Sequence, residues 1–400
     1  MFQHEEPEVL VVGAGPVGLV AALFLGDKGV RVEIVDMEQR TTQHSYALAL
    51  HPRTLRVLDE VGITGKLVSQ GRKLSRVAYY EGPDRRAEID FSTLSSTHPY
   101  LLILRQSLLE RTIEEELHRR KQKILWDHRL QALDLRAGRP HAEIAKLERV
   151  ATGYPMARTE WVVARTERVD PHFVIGADGY DSAVRRMSGI EMAEHGGGQI
   201  HSVYEVEAQG ELPAEVRVVL DPDATSVYWP LENGRCRWGF QIADASTHAS
   251  TMPRLQELLA RRAPWFKAKP VEIYWSTMAL FEWRLARRFG TANVWLAGDA
   301  AHQAAPAGVH SMNGGIREAR ELASRMSRIL KAGASPALLE EFGRESHADW
   351  QGLLGAGRDL RALPGADPWV AANRARILSC MPASGDDLAP LLAQLHLAMA

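Results

Sequence analysis

The chain has 400 residues, with 48 basic and 50 acidic side chains and a formal net charge of −2. This balance provides no surplus of positive charge for nucleic acid or an anionic membrane. The length suggests two or three domains, or one interleaved pair. No uncharged apolar run reaches the roughly 18 residues of a membrane span, and no leader precedes the first strand, so we expect a cytoplasmic protein. The cysteines Cys236 and Cys380 form no CxxC pair and the histidines show no zinc-binding spacing, so we expect no metal.

The first predicted element is a strand, turn, helix and strand over residues 9–36. An apolar strand precedes a turn with the sequence Gly13-Ala14-Gly15-Pro16-Val17-Gly18. In a βαβ unit the first glycine makes the turn, the second admits a pyrophosphate and the third packs helix against strand. The helix N-terminus favours the negative phosphates. Asp36 ends the second strand, roughly 20 residues on, where an acid binds a ribose. The pattern predicts a dinucleotide site but does not choose between NAD(P) and FAD.

The next part of the chain mixes helical and strand-like patterns. We predict a helix over 53–61 with Pro52 in its first turn, strands over 77–80 and 87–91, a helix over 108–117 just after Arg105, and a meander over 123–175 that includes Leu130. Helical spacing returns after Pro336, with later helices near 369–378 and 388–397.

Two further strands end in acidic residues. The strand that begins at Phe173 leads to Asp178-Gly179 and a helix capped by Asp181 or Ser182. The strand that begins at Val294 leads to Gly298-Asp299, His302, Pro306 and another helix. Because ligands of open α/β sheets bind at the carboxyl ends of strands, these acids are candidate site residues.

These three stretches, in this order, resemble the class A flavoprotein monooxygenases of the para-hydroxybenzoate hydroxylase type. That family is similar in its N-terminal GxGxxG, central GADGxxSxVR and late GDAAHxxxP, and each motif is present here. The resemblance implies an α/β fold: a Rossmann-like FAD-binding domain interleaved with a β-sheet substrate domain and followed by a C-terminal helical tail. We expect the FAD domain to comprise 1–70, 100–187 and 285–335, the substrate domain 71–99 and 188–284, and the helical segment 336–400.

The resemblance implies FAD as cofactor, with NAD(P)H as a transient co-substrate and O₂. It places Asp36 on the adenosine ribose, Arg105 near the pyrophosphate or ribitol, and the Leu130 backbone beside the adenine. It also places Asp178 where NAD(P)H passes and Asp299 on the ribitol. The full expected set is Gly13, Ala14, Gly15, Pro16, Val17, Gly18, Asp36, Arg105, Leu130, Asp178, Gly298, Asp299, Pro306, Gly308, Ser311, Met312 and Asn313. The chain departs from the family at Tyr46, which replaces an arginine, at Ser311, which replaces a glycine, and at Glu318, which replaces an aspartate.

The implied reaction is that of a single-component monooxygenase. Hydride passes from NAD(P)H to FAD, O₂ adds at flavin C4a, and the resulting hydroperoxide hydroxylates an electron-rich ring. We therefore assign no catalytic side chain. A helix starting near Met312 would direct its positive end at the reduced flavin. We interpret His302 as structural in preference to a base.

The predicted substrate is an aromatic or polycyclic small molecule. A hairpin over 227–242 turns at Asn233-Gly234, and its alternation puts Trp238 and Phe240 on one face. The candidate substrate-lining residues are Trp229, Trp238, Phe240, Pro306 and His310. The sequence leaves open a monomer or a homodimer, and NADPH or NADH.

Two other functions remain open. One is an FAD-dependent reductase or dehydrogenase, and the other is a non-catalytic FAD-binding relative, which the altered turn Val309-His310-Ser311 keeps possible. A flavin-dependent halogenase would carry a WxWxIP stretch and a two-Rossmann Baeyer–Villiger oxygenase a second glycine fingerprint, and the sequence has neither.

Overall fold

The computed structural model describes residues 6–39, 47–135, 138–152, 158–243, 251–355 and 360–399, so the predicted departure at Tyr46 lies outside the described residues. In chain order the helices are α1 Pro16–Asp27, α2 Pro52–Asp59, α3 Thr64–Gln70, α4 Gln106–Arg119, α5 Ala183–Met187, α6 Met252–Arg262, α7 His310–Ala332, α8 Ala337–Leu354, α9 Pro368–Cys380 and α10 Leu388–Ala393.

The strands follow the same numbering. They are β1 Val9–Val12, β2 Val32–Val35, β3 Ala49–Leu50, β4 Arg72–Leu74, β5 Arg76–Glu81, β6 Asp84–Asp90, β7 Leu101–Ile103, β8 Ile124–Leu125, β9 His128–Asp134, β10 His141–Thr152, β11 Arg158–Val169, β12 Phe173–Gly176, β13 Met192–Glu194, β14 Gln199–Gln209, β15 Val216–Asp221, β16 Ala224–Pro230, β17 Arg235–Ile242, β18 Lys269–Phe281, β19 Arg284–Ala286, β20 Gly290–Thr291, β21 Val294–Leu296, β22 His302–Gln303, β23 Leu360–Ala362 and β24 Leu397–Met399.

A mainly parallel sheet in the order β20-β21-β12-β1-β2-β8 carries the three motifs. Strand β1 pairs in parallel with β2 and β12, and β12 pairs in parallel with β21. All four residues of β1 are buried, because the sheet is covered on both faces. The carboxyl ends of parallel strands lie at one edge, so this topology brings the glycine turn, Asp36, Asp178 and Gly298 together. The α/β prediction is confirmed.

A second, largely antiparallel sheet has the order β18-β14-β17-β16-β15-β5-β6. The predicted hairpin joins β16 and β17, and both Asn233 and Gly234 have a positive φ, as a tight hairpin turn requires. Trp238 and Phe240 lie fully buried in an aromatic core with residues of α6, and their rings are stacked with centroids 5.2 Å apart. Strand alternation therefore turns both rings toward the side of the sheet that α6 covers.

The remaining elements surround these two sheets. Strands β9, β10 and β11 form the predicted meander. At the end of the chain, α9 contacts the loop before α7 and the strands β6 and β15. The predicted helix over 388–397 ends earlier, at Ala393, and Leu397–Met399 instead pairs with Leu360–Ala362. Within the described ranges, no helix is both long and apolar enough to cross a membrane.

Candidate functional site

The glycine turn leaves space in front of α1. Gly13 has a φ of +104°, and a Cβ there would lie 2.2 Å from the Ala177 carbonyl oxygen. A Cβ on Gly18 would lie 1.9 Å from the Gly13 oxygen, so both positions exclude a side chain. At Gly15, by contrast, no described atom would come within 4 Å. This open space at a helix N-terminus, where Pro16 begins α1, fits a pyrophosphate.

Asp36 lies beside this space at the end of β2. Its Oδ2 accepts a hydrogen bond of 2.6 Å from the Ala14 N–H, and its Oδ1 accepts one of 2.8 Å from the Glu38 N–H. A carboxylate has about four acceptor positions, so these two bonds leave capacity for ribose hydroxyls. The acid and the glycine turn are thus held in one arrangement.

Asp178 organises the second motif. Its Oδ1 accepts from the Ser182 hydroxyl at 2.6 Å and its Oδ2 from the Val184 N–H at 3.0 Å. Burial raises the pKa of Asp178, and these hydrogen bonds partly oppose that shift. Ser182, one of the two predicted caps, also accepts from the Arg185 N–H at 2.9 Å. Arg185 in turn donates to the Ala300 carbonyl oxygen at 3.1 Å and so links the second motif to the third.

Asp299 faces the cleft from the third motif. The preceding Gly298 has a φ of +64° and donates its N–H to Glu318 Oε2 at 3.0 Å, which fixes the turn. Asp299 is exposed and lines the cleft. The protein atoms around the cleft raise the pKa of its carboxyl, and the charge of His302 opposes that shift. Asp299 is therefore placed to accept hydrogen bonds from a polyol such as the ribitol of FAD.

His302 lies behind this turn and is fully buried. Its Nε2 is 2.8 Å from Glu318 Oε2, and its ring stacks on Trp350 with centroids 3.6 Å apart. Trp350 donates its indole N–H to Glu318 Oε1 at 2.6 Å. Burial alone would raise the pKa of Glu318, but His302 and these hydrogen bonds lower it overall. This placement supports a structural role for His302.

The chain enters α7 through a strained residue. Val309 has a φ of +52°, an unusual conformation for a β-branched residue. Asn313 holds it: its Nδ2 donates to the Val309 oxygen at 2.8 Å and the Ala49 oxygen at 2.9 Å, while its Oδ1 accepts from the His51 N–H at 2.9 Å. The helix begins at His310, two residues before the predicted Met312.

A cavity of 560 Å³, called the cleft below, lies between this loop and the end of β18. Its lining includes Ala47, Gln106, Tyr180, Leu280, Phe281, Asp299, Gln303, Pro306, His310, Ser311 and Met312. The cleft thus brings together predicted cofactor residues and two predicted substrate-lining residues, Pro306 and His310. Sequence reasoning missed Gln106, Tyr180 and Gln303. The first two directly follow Arg105 and Gly179, so their adjacency to the motifs was the available signal.

Three other predicted residues, Arg105, Leu130 and Trp229, do not line the cleft. Arg105 forms an ion pair with Glu205 of β14, and Arg237 binds the same carboxylate at 2.8 Å. Leu130 is buried in β9, opposite Ile144 of β10. Trp229 is buried in a hydrophobic core that also contains α9 residues. The roles proposed for Arg105 and Leu130 at FAD stay predictions.

Known proteins match this architecture. A family model described as an FAD binding domain matches residues 6–354. An uncharacterized aromatic compound monooxygenase, YhjG of Bacillus subtilis (strain 168), is 28% identical over 87% of this chain and 66% of its own length. The tetracenomycin A2 monooxygenase-dioxygenase of Streptomyces glaucescens is 28% identical over 85% of this chain and 65% of its own length. The chain thus spans slightly under two thirds of these curated relatives.

A solved structure extends the likeness to the fold. The p-nitrophenol 4-monooxygenase of Pseudomonas putida DLL-E4 superposes with a TM-score of 0.78 at 24% identity, covering 98% of this chain and 96% of that chain. Three strand ends, an open phosphate space and Asp299 fit FAD, and the matching model covers most of the chain. This protein therefore belongs to the FAD-binding domain family.

Proposed function

We propose that this protein is an NAD(P)H- and FAD-dependent monooxygenase that hydroxylates an aromatic small molecule. The observation that carries the proposal is that the cleft adjoins the sheet edge that fits FAD. Asp299, at the sheet edge that fits FAD, lines the cleft, and Leu280 and Phe281 at the end of β18 give the same cleft apolar side chains beside Glu282. A site for a redox cofactor thus adjoins space for a ring. Both curated relatives named above carry monooxygenase names, which supports the same reading.

Bound FAD would accept hydride from NAD(P)H and activate O₂ for transfer of one oxygen atom to a ring. The chain's own residues would bind and orient. The open space at Gly15 would receive the pyrophosphate, Asp36 the adenosine ribose and Asp299 the ribitol. The N-terminus of α7 adjoins the cleft through Ser311 and Met312, so its N–H groups and dipole would stabilise negative charge there.

The cleft wall would also exclude water from the reacting atoms. Phe281, Ala304, Ala305 and Met312 present apolar atoms to the cavity. Water exclusion strengthens the electrostatic effect of the α7 N-terminus and limits side reactions.

We further propose a cytoplasmic location, a monomer or homodimer, transient docking of NAD(P)H near Asp178, and the interleaved domain division given by the sequence.

The experiment is anaerobic reduction of the FAD-loaded protein by NADPH and by NADH, with and without 4-nitrophenol and a panel of other hydroxylated rings, followed by admission of O₂. The proposal expects a ring compound to accelerate reduction and to be recovered with one added oxygen atom. Reduction that yields only hydrogen peroxide with every ring would favour a reductase. A protein that binds FAD but is not reduced by either nicotinamide would favour a non-catalytic relative.

A further inference from the structure

A second cavity, of 440 Å³, lies at the β15-β5-β6 end of the largely antiparallel sheet. We call it the basic pocket, and its charged lining residues are Arg76, Arg85, Glu211, Glu215, Arg217 and Lys267. The cleft is lined from β18, at the opposite end of the same sheet. The two cavities share no lining residue, so the basic pocket is separate from the site that fits FAD.

The basic pocket has a local excess of positive charge. Four cationic side chains line it against two carboxylates, whereas the chain as a whole has a net charge of −2. Glu88, which does not line the pocket, also contacts Arg85, so the excess is at least one charge. A concave surface with this balance attracts anions.

Glu215 fixes two of the cations and has little capacity left for a ligand. It is buried, and its two carboxylate oxygens accept parallel hydrogen bonds of 3.0 Å from Nη1 and Nη2 of Arg85. Its Oε1 also accepts a bond of 2.9 Å from Nε of Arg217. One buried carboxylate thus orients both guanidinium groups, which is the preorganisation that a binding site needs.

Arg217 has the free donors of the basic pocket. Its guanidinium carbon lies 4.5 Å from the ring centroid of Trp265 and 5.2 Å from that of Tyr80, so aromatic rings support it. Nη1 and Nη2 have no hydrogen-bond partner among the residues that the structure describes, and both keep solvent-accessible surface. A fixed guanidinium with two accessible N–H₂ groups matches the oxygen atoms of a phosphate.

Two further cations flank this guanidinium. Arg76 is exposed, and its side chain makes no hydrogen bond or ion pair within the described ranges. Lys267 is exposed and uses one of its three donors on the Pro264 oxygen, at 2.8 Å. Glu211 is exposed on the same lining and would repel a second anionic group, which favours a ligand with a single phosphate.

The basic pocket is larger than one phosphate ion requires. Its 440 Å³ falls within the roughly 300–1,000 Å³ of small-molecule sites. Leu212, Pro213 and the ring of Trp265 contribute apolar surface beside the cations. A ligand that fills this space therefore combines an anionic group with a compact apolar part.

We propose that the basic pocket binds a phosphate monoester of a compact organic group. The phosphate lies against Arg217, Arg76 and Lys267, and the organic group packs on Leu212 and Pro213. This site is distinct from the cleft, so it adds a second ligand to the molecule without taking part in the proposed oxygenation.

The test is calorimetric titration of the FAD-loaded protein with n-butyl phosphate, inorganic phosphate and n-butanol at about pH 7.5, where a phosphate monoester is largely dianionic. We expect n-butyl phosphate to bind with a dissociation constant below about 1 mM. Inorganic phosphate should bind about tenfold more weakly, because it buries no apolar surface. The alcohol lacks the anionic group and should show no binding.

Two variants locate the bound phosphate. Arg217→Lys keeps the charge but removes the planar fork, and it should raise the dissociation constant of n-butyl phosphate about tenfold. Arg76→Gln removes a side chain that makes no contact in the fold, so it tests the site without a risk to folding and should raise the constant about fivefold. The matched control is Lys269→Gln, at an exposed lysine outside the lining, which should change it by less than about twofold.

Absence of n-butyl phosphate binding at about 1 mM would overturn the proposal, as would wild-type affinity in both variants. Equal affinity for inorganic phosphate would overturn the organic part of the ligand, and binding of n-butanol would overturn the role of charge. Retention on phosphatidic acid vesicles without binding of n-butyl phosphate would assign the phosphate to a lipid headgroup and contradict a soluble ligand. None of these outcomes depends on turnover in the cleft.

Discussion

At the scale of single residues, the space that fits a pyrophosphate depends on glycines, which have no side chain. Gly13 and Gly18 are glycines because a Cβ would collide with backbone at 2.2 Å and 1.9 Å. Gly15 is different, because its own neighbourhood would accept a Cβ. Its requirement would therefore come from a bound pyrophosphate, which makes this position a test that separates cofactor binding from folding.

We predict that Gly15→Val yields folded protein that has lost FAD. The valine side chain would occupy the space that a pyrophosphate needs, and its Cβ would meet no described atom within 4 Å. Absorbance of the purified protein gives the flavin occupancy, and thermal unfolding of the apoprotein gives its stability. Gly65→Val is the matched control, because Gly65 lies in α3, is exposed and would meet no described atom within 4 Å. A Gly15→Val protein with full flavin content would contradict the assignment.

At the scale of elements, the start of α7 is held by a side chain from its own first turn. Asn313 is buried and bonds Val309, Ala49 and His51, so one amide joins the helix to β3 and to the residue before α2. These contacts keep Val309 in its left-handed conformation. The position of Ser311 and Met312 at the cleft follows from that constraint.

We predict that Asn313→Ala lowers the free energy of unfolding by about 2–4 kcal/mol, since three hydrogen bonds are lost at a buried site. The loss of cleft geometry should also weaken FAD binding. Urea unfolding of the apoprotein and FAD titration give the two quantities. Asn373→Ala, which removes a single bond from Asn373 Nδ2 to the Trp369 oxygen, should cost about 1 kcal/mol or less. If Asn313→Ala and Asn373→Ala lower the free energy of unfolding equally, the role assigned to Asn313 is refuted.

The second element-scale contact joins α4 to the antiparallel sheet. Glu205 of β14 is buried and lies between the guanidinium groups of Arg105, just before α4, and Arg237 of β17. The two positive charges hold the pKa of Glu205 below its ordinary value despite burial, which acts in the other direction.

Glu205→Gln is expected to destabilise the protein by about 2–3 kcal/mol, because buried Arg237 loses its charged partner. Glu207→Gln tests the same strand at an exposed contact with the Tyr274 hydroxyl and should change stability by less than about 0.5 kcal/mol. The readout is the urea midpoint at constant m-value. If both variants unfold at the wild-type midpoint, Glu205 does not stabilise the junction.

At the scale of the whole molecule, three buried histidines predict sensitivity to acid. Burial lowers the pKa of His201 and of His310 to about 4, and that of His51 well below its ordinary value. The unfolded chain, with histidine pKa values near 6.5, binds more protons than the folded chain between about pH 4 and 6.5. The contribution of these histidines to stability is therefore largest above about pH 6.5 and falls as the pH drops through that window.

For His310 alone, lowering the pH from 7 to 5 should decrease the free energy of unfolding by about 2 kcal/mol, because pH 5 lies about 1.5 units below the ordinary histidine pKa of about 6.5. His310→Gln can still donate toward the Ser379 oxygen, which lies 3.2 Å from His310 Nε2, but does not titrate, so the loss should shrink by about that amount. Urea unfolding at both pH values measures it. His172→Gln, at an exposed histidine, should leave the loss unchanged, and an unchanged loss in His310→Gln would contradict the prediction.

The sequence by itself determined the local parts of this protein. The three strand ends with Gly13, Asp178 and Asp299, the tight turn at Asn233-Gly234 and the family membership all follow from short patterns, because turn geometry and strand–helix alternation depend on neighbouring residues. Helix bounds were close for α4 and α9 and too long for the segment that ends at Ala393.

Only the tertiary structure decided which distant residues meet. Alternation placed Trp238 and Phe240 on one face but could not say that α6 covers it. No spacing connects Arg105 with Glu205 or Asn313 with Ala49, because each contact depends on how sheets and helices pack after long stretches of chain. The cleft is a space between such elements, so its shape arises from packing that local patterns do not encode.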